Sequence, residues 1–179
     1  MITICFTGHR PDKLGGYDWN TPKNRLIMKN LTELIEKEIL ENNAKTFIFG
    51  GALGIDQMAF EIVRKLQEHC YHDIKMILAV PFKNQAIKWF NKNDVKRYES
   101  QLEWADEVVY VDTIEGYEFK NVPVGDYHPA KMDLRNRYMV DNSDLVIAVW
   151  NGTKGGTCNC VKYAKKKDKS IIFINPDEV

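Results

Sequence analysis

The chain has no excess of charge of either sign and no long hydrophobic run. Its 25 Lys and Arg residues balance 25 Asp and Glu residues, so the formal net charge is zero. This balance is compatible with a local basic patch, but we do not expect bulk nucleic acid or an anionic membrane surface to be the main partner. No apolar segment approaches the ~20 residues that span a bilayer, and the first residues lack the basic start and apolar core of a signal peptide. We therefore expect a cytoplasmic protein.

Cysteine is also scarce, with four residues in the whole chain. In a cytosolic protein, reduced thiols in the core are the natural interpretation of such cysteines. Cys158 and Cys160 have no second cysteine pair and no nearby His at the spacing of zinc ligands. We expect neither a metal site nor a cofactor.

The apolar residues that are present fall into short runs that alternate with stretches of helical period. At 179 residues and 44% hydrophobic composition, the chain is long enough for one domain over residues 1–179. The alternation predicts an α/β fold of Rossmann-like, three-layer form, with a mostly parallel sheet of about six strands. The predicted strands are 2–7, 46–49, 75–80, 107–111, 144–150 and 170–174.

Two weaker local patterns lie in the second half of the chain. Asp94 precedes a helical pattern and is predicted to cap it, after a shorter helical piece over 83–90. The connection 112–131 is long for a compact domain, which is typical of a lid or binding segment. Its aromatic residues could stack on a planar base or pack the segment onto the body of the protein.

A glycine turn between the second predicted strand and the next helix is the most informative motif. Gly50, Gly51 and Gly54 stand where a bulky side chain would block the approach of a ligand to the backbone, and Asp56 lies in the first helical turn. This arrangement often presents N–H groups to a phosphate. The alternative is a tight structural turn in which Asp56 only caps the helix.

The loops after strands 1 and 5 are unusual as well. In a parallel sheet, ligands bind outside the carboxyl ends of the strands, so the loops after strands 1, 2 and 5 should converge on one crevice. Arg10 suits phosphate but could form a surface salt bridge, and His9 could be solvent-exposed or hydrogen-bonded within the protein. The predicted ligand-binding residues in these two loops are Thr7, Gly8, His9, Arg10, Asn151, Gly152, Gly155, Gly156 and Thr157.

A helical segment before strand 5 carries two arginines. Arg135 and Met139 are four residues apart and share one face, along which the guanidinium could reach the same crevice. Alternatively, Arg135 and Arg137 could simply solvate the helix.

These motifs resemble two known families. The segment 51–56 resembles the glycine turn of the DNA-processing protein A family, and 8–10 resembles that family's first-loop glycine and arginine. The segments 132–139 and 155–157 are similar to the signature motifs of the Lonely Guy phosphoribohydrolases, which cleave the N-glycosidic bond of nucleoside 5'-monophosphates. Both families belong to the SLOG superfamily of Rossmann-like nucleotide-binding proteins. Over residues 2–174 the chain looks most like the YpsA-like branch, and the resemblance implies a homodimer.

One position departs from the phosphoribohydrolase motif. Those enzymes carry a catalytic Glu three residues beyond the motif's Thr, and counting from Thr157 this position holds Cys160. A thiol cannot replace a carboxylate in stabilising oxocarbenium character or activating water. Arg135 matches the catalytic arginine of those enzymes and, without the Glu, is expected to bind phosphate.

Three carboxylates could take the place of that Glu. Asp56 is the best candidate, and Asp133 and Asp144 are weaker ones. Asp144 begins a strand and should therefore lie at the wrong end of the sheet. The catalytic candidates are accordingly Asp56 and Arg135.

Three functions are compatible with these residues. The first is binding of a nucleotide or nucleotide-derived molecule by the loops 7–10, 50–56 and 151–157 with Arg135, as a sensor or sequestering protein in stress or defence signalling. The second is hydrolysis or transfer at a nucleotide N-glycosidic bond. The third is binding of single-stranded DNA, which the zero net charge disfavours.

Overall fold

Six parallel strands form one sheet with the order β4-β3-β2-β1-β5-β6. The computed structural model describes all 179 residues. The strands are β1 (Ile2–Gly8), β2 (Ala44–Phe49), β3 (Lys75–Val80), β4 (Glu107–Tyr110), β5 (Leu145–Val149) and β6 (Ser170–Ile174), and the helices are α1 (Pro22–Asn42), α2 (Ile55–His69), α3 (Lys92–Trp104), α4 (Pro129–Asp141) and α5 (Gly156–Lys166). The predicted α/β, three-layer class is confirmed, and the sheet is entirely parallel.

Helices cover both faces of the sheet because successive strand residues point to opposite sides. In β1, Ile4 and Phe6 pack into the larger core with α1, α2 and Tyr98 of α3. Cys5 faces the other way, into a smaller core with Met139 of α4 and Cys160 of α5. None of the helices is long and apolar enough to cross a membrane.

The order of the strands determines where a ligand site is expected. The chain runs outward from β1 to β4 on one side and then crosses to β5, which pairs with the other edge of β1. The point where the strand order reverses therefore lies between β1 and β5. The crevice outside the carboxyl ends of these two strands is the usual ligand position in such a sheet.

The predicted cap of α3 is wrong in position. The side chain of Asn91 accepts a hydrogen bond from the Asn93 N–H at 2.9 Å, so Asn91 is the N-cap and Asp94 lies inside the first turn. An Asn can cap as well as an Asp, and the apolar spacing alone could not separate the two positions. The predicted helical piece over 83–90 is only a short 3₁₀ turn, Gln85–Lys88.

The long connection before α4 is packed onto the body of the protein. Lys131 Nζ donates to the Asp112 carboxylate at 2.9 Å and to the Pro123 carbonyl at 2.7 Å, and the ion pair is buried. Tyr117 packs edge-on against Tyr138, with 5.3 Å between ring centroids. Packing onto the body is therefore one use of the aromatic residues of this segment.

Candidate functional site

The loops after β1, β2 and β5 converge on one cavity of about 250 Å³, as their order in the sheet predicted. It is lined by Thr7, Gly8, His9, Arg10, Asp12, Lys13, Ala52, Asp56, Met132, Arg135, Asn136, Thr153, Lys154, Gly155, Gly156 and Thr157. Four of these side chains are cationic and two are carboxylates, so the cavity has a surplus of positive charge although the chain as a whole is neutral.

Some predicted binding residues lie beside the cavity without lining it. They are Gly50, Gly51, Gly54, Asn151 and Gly152. Direct contact of these residues with a ligand stays a prediction, and two of the glycines have a structural role in shaping the loops. At Gly50, a Cβ atom would collide with the Arg135 guanidinium. Gly54 has φ +94° and packs closely against the backbone of the β1 loop, which only glycine permits without strain.

Arg135 and Asp56 form a buried pair under this cavity. Arg135 Nη1 lies 3.7 Å from Asp56 Oδ2 and also donates to the Gly50 carbonyl, while Nε donates to Asn136 Oδ1 at 3.0 Å. The alternative in which Arg135 solvates the helix is therefore wrong. Arg137 does serve that role, since it is exposed and pairs with Asp133 one turn away at 2.8 Å.

Burial dominates the electrostatics of the pair. It raises the pKa of Asp56 above its ordinary range, with the nearby Arg135 and the Ala52 N–H opposing the rise. Burial likewise lowers the pKa of Arg135, and the Asp56 carboxylate opposes this fall. Each charge is thus held by its partner. The N-cap of α2 is Gly54 and no side chain caps the helix, so the alternative in which Asp56 only caps it is wrong.

His9 ties the β1 loop to the β5 loop. Its side chain is buried, and Nε2 lies 2.6 Å from Asn151 Oδ1. Asn151 Nδ2 in turn donates to Asp177 at 2.8 Å, and the Asn151 backbone N–H donates to the same His9 Nε2 at 3.2 Å, so Asn151 holds the ring through both its side chain and its backbone. Burial lowers the pKa of His9, so the ring is neutral at pH 7. Of the two settings foreseen for His9, the hydrogen-bonded one is observed.

Lys13 is a cavity residue that the sequence analysis did not single out. Its Nζ donates to Thr153 Oγ1 at 3.0 Å and to the Lys154 carbonyl at 3.1 Å, closing one side of the cavity. The spacing Arg10-x-x-Lys13 at the end of β1 was the available signal. Thr153 and Lys154 lie within the predicted loop 151–157 and Ala52 within 50–56, Met132 and Asn136 lie within the motif segment 132–139, and Asp12 carried no distinctive pattern.

Helix α5 points its N-terminus at the cavity. Gly155, with φ +144°, precedes the helix and supplies no side-chain cap, so the first N–H groups have no side-chain acceptor. A Cβ atom added at Gly156 would meet nothing within 4 Å. Unpaired N–H groups and the positive end of the helix dipole form a site for an anion.

Arg10 is the guanidinium most available to a ligand. It is exposed, lines the cavity and belongs to none of the ion pairs of the chain. The surface salt bridge considered from the sequence is therefore absent. A planar fork of free N–H donors beside the N-terminus of α5 suits bidentate contact with a phosphate.

The carboxylates do not reproduce the phosphoribohydrolase arrangement. Cys160 is buried outside the cavity, and burial raises its pKa to about 11, although a hydrogen bond with Thr7 lowers it somewhat. Asp133 pairs with Arg137 on the surface, and Asp144 accepts from the Thr3 N–H at the opposite end of the sheet. Only Asp56 and Asp12 present carboxylates to the cavity. No group of three or more His, Cys, Asp or Glu side chains could hold a metal ion.

Relatives in solved structures share the fold. DNA processing protein A from Streptococcus pneumoniae matches with a TM-score of 0.64 and 16% identity, covering 97% of this chain and 50% of that one. DNA processing protein A from Helicobacter pylori, which binds single-stranded DNA, matches with a TM-score of 0.59 and 20% identity, covering 97% and 65%. This chain thus spans about half and about two thirds of their lengths, and the likeness shows the fold alone.

Sequence relatives are matched over more of their own length. The SPbeta prophage-derived protein YoqJ of Bacillus subtilis (strain 168), itself uncharacterised, is 41% identical over 147 residues, 80% of this chain and 85% of that protein. A UPF0398 protein of Bacillus thuringiensis (strain Al Hakam) is 29% identical over 171 residues, 96% of this chain and 86% of that protein. The YpsA family model, for the YspA SLOG family, matches residues 4–179. The resemblance inferred from the motifs is confirmed, and this chain belongs to the YspA SLOG family.

Proposed function

We propose that this protein binds a nucleotide or nucleotide-derived small molecule, with the phosphate in the cavity between the β1, β2 and β5 loops. The observation that carries the proposal is the meeting of the N-terminus of α5 with the exposed guanidinium of Arg10. Each of these groups favours an anion, and together they offer several donors to one phosphate. Lys13 and Lys154 add charge at the rim.

The buried arginine contributes indirectly. Arg135 lines the floor of the cavity, but its guanidinium is already engaged by Gly50 and Asp56. It therefore holds the glycine turn in place and adds a long-range attraction, while Arg10 makes the direct contact. Binding without turnover would suit a sensor or a sequestering protein in stress or defence signalling.

Several features favour binding over cleavage of an N-glycosidic bond. Cleavage needs an ionised carboxylate beside the developing positive charge on the sugar. Cys160 is neutral at pH 7 and buried, and Asp56 faces the arginine that neutralises it. Asp12 is exposed on the rim.

Thermal unfolding with a nucleotide panel tests the proposal. A ligand that binds only the native state stabilises it by RT ln(1 + [L]/Kd), about 2.7 kcal/mol at a hundredfold excess over Kd. We expect at least one nucleotide to raise the unfolding temperature of the wild type and to have a smaller effect on Arg10→Ala. An unchanged unfolding temperature across a panel of mono-, di-, tri- and cyclic nucleotides would contradict the proposal.

Single-stranded DNA is a second candidate. The fold is similar to that of the Helicobacter pylori protein that binds single-stranded DNA, which counts against our expectation that nucleic acid is not a partner. A strand contacted at several phosphates shows an affinity that falls steeply with salt. Fluorescence anisotropy of a labelled oligonucleotide over a salt series would favour this function if the fall is steep and Arg10→Ala reduces the slope.

A further inference from the structure

A second cavity of about 430 Å³ adjoins the anionic one. The two share Arg10 and Met132, so the exposed guanidinium stands at the boundary between them. A cavity of this size falls within the range of small-molecule sites. The lining of the second cavity is mostly apolar, whereas the first is mostly polar.

The walls of this second cavity are aromatic and differ in how firmly they are held. Trp89 packs edge-on against Tyr98 of α3, with 5.3 Å between ring centroids. Tyr127 packs against Phe82 at 5.6 Å. The Nζ of Lys88 lies 3.7 Å above the ring of Tyr127. These contacts fix two of the rings in place.

Two further rings at the same cavity are open to solvent. Phe90 is fully exposed, at 101% of its reference area, and Tyr17 is 56% exposed. Neither ring takes part in the aromatic pairs that fix Trp89 and Tyr127. An exposed Phe beside an apolar cavity leaves a large area of contact unused, and such patches mark binding surfaces.

We infer that this aromatic cavity takes the nucleobase of a nucleotide whose phosphate lies in the anionic cavity. The inference rests on the proposed function and adds the part of the ligand that the anionic cavity does not explain. Arg10 lines both cavities, so a single ligand can bring its phosphate to the guanidinium while its base reaches the rings. A planar base stacks on aromatic side chains with little dependence on its identity.

Calorimetric titration with nucleotides and with a sugar phosphate that lacks a base distinguishes binding at the two cavities. The probes are AMP, GMP, CMP and UMP, together with ribose 5-phosphate, which carries the phosphate and lacks a base. The test variant is Tyr17→Ala with Phe90→Ala. The matched control is Ile87→Ala, because Ile87 is 69% exposed in the Gln85–Lys88 turn just before Phe90 but does not line the cavity.

We expect the wild type to bind at least one nucleotide about tenfold or more tightly than ribose 5-phosphate. In the double variant, the affinity for the nucleotide should fall by about that factor and the affinity for ribose 5-phosphate should not change. Ile87→Ala should change neither affinity. Equal affinity for the nucleotide in the double variant and the wild type would overturn the base site and leave the phosphate site standing. An equal loss in Ile87→Ala would also overturn it. Absence of binding for all five probes would overturn the base site, and thermal unfolding with the wider nucleotide panel would then decide whether the phosphate site stands.

Discussion

Arg135 and Asp56 face each other across the floor of the cavity, with 3.7 Å between Nη1 and Oδ2 and both side chains buried. The contact joins α4 to the start of α2, two elements far apart in the chain. Because the same guanidinium also donates to the Gly50 carbonyl, it fixes the glycine turn after β2. The pair is thus part of the framework of the site.

Removal of Arg135 should destabilise the protein strongly. Arg135→Ala leaves the Asp56 charge buried without its partner, which costs about 3 to 5 kcal/mol for such pairs. Arg137→Ala is the matched control, since its exposed pair with Asp133 is of the class that contributes ~0.5 kcal/mol. Urea unfolding of the three proteins measures the difference. Similar free energies of unfolding for the two variants would show that the buried pair does not support the fold.

Two glycines of the site should respond differently to a methyl group. A Cβ atom at Gly8 would lie 2.5 Å from the Ile55 side chain, which is buried and cannot move away, so Gly8→Ala should cost about 1 to 3 kcal/mol of stability. Gly156→Ala meets no neighbouring atom and should leave stability within ~0.5 kcal/mol. Because Gly156 lines the cavity, the same variant should weaken nucleotide binding. Equal stability losses in the two variants, measured by urea unfolding, would contradict this account.

The stability of the folded protein should fall when the solution is acidified below about pH 6.5, in part because of His9. Burial lowers the pKa of His9 below its ordinary value of about 6.5, so the unfolded chain takes up a proton there more readily than the folded one. The stabilising contribution of His9 is complete above its pKa in the unfolded chain. It is lost as the pH falls toward its pKa in the folded protein. The raised pKa of Asp56 acts in the opposite sense.

A comparison with His9→Gln isolates the contribution of His9, since Asp56 is common to both proteins. Between pH 7 and pH 5.5, the wild type should lose more free energy of unfolding than the variant. Parallel pH profiles would show that His9 does not titrate differently in the folded and unfolded states.

The protein should release little or no free base from nucleoside monophosphates. The thiol of Cys160, with its pKa raised to about 11, carries no charge at pH 7 and cannot stabilise a positive sugar centre. Incubation with AMP, GMP, CMP and UMP followed by chromatography measures the release. Robust release by the wild type that is lost in Asp56→Asn would favour the enzyme over the binding protein.

Much of the fold followed from local patterns, and much of the site did not. The apolar runs predicted all six strands, and a glycine turn between a strand and a helix is a local motif that sequence displays. Burial of Arg135 depends on the packing of α4 over Gly50, which no local pattern records. Phe90 and Tyr17 lie 73 positions apart and meet at one cavity only in the folded chain.

The central claim is a phosphate site at the end of β1. Its most direct test compares, by titration calorimetry, how tightly the wild type and Arg10→Ala bind the nucleotide that stabilises the protein most. Loss of a charge-assisted contact should weaken binding by about 1.5 to 3 kcal/mol, roughly ten- to a hundredfold in Kd. Arg10→Lys should restore only part of the affinity, because Lys lacks the planar fork. Arg25→Ala, at an exposed arginine on α1 away from the cavity, should bind like the wild type. Unchanged affinity in Arg10→Ala would contradict a phosphate site at the end of β1.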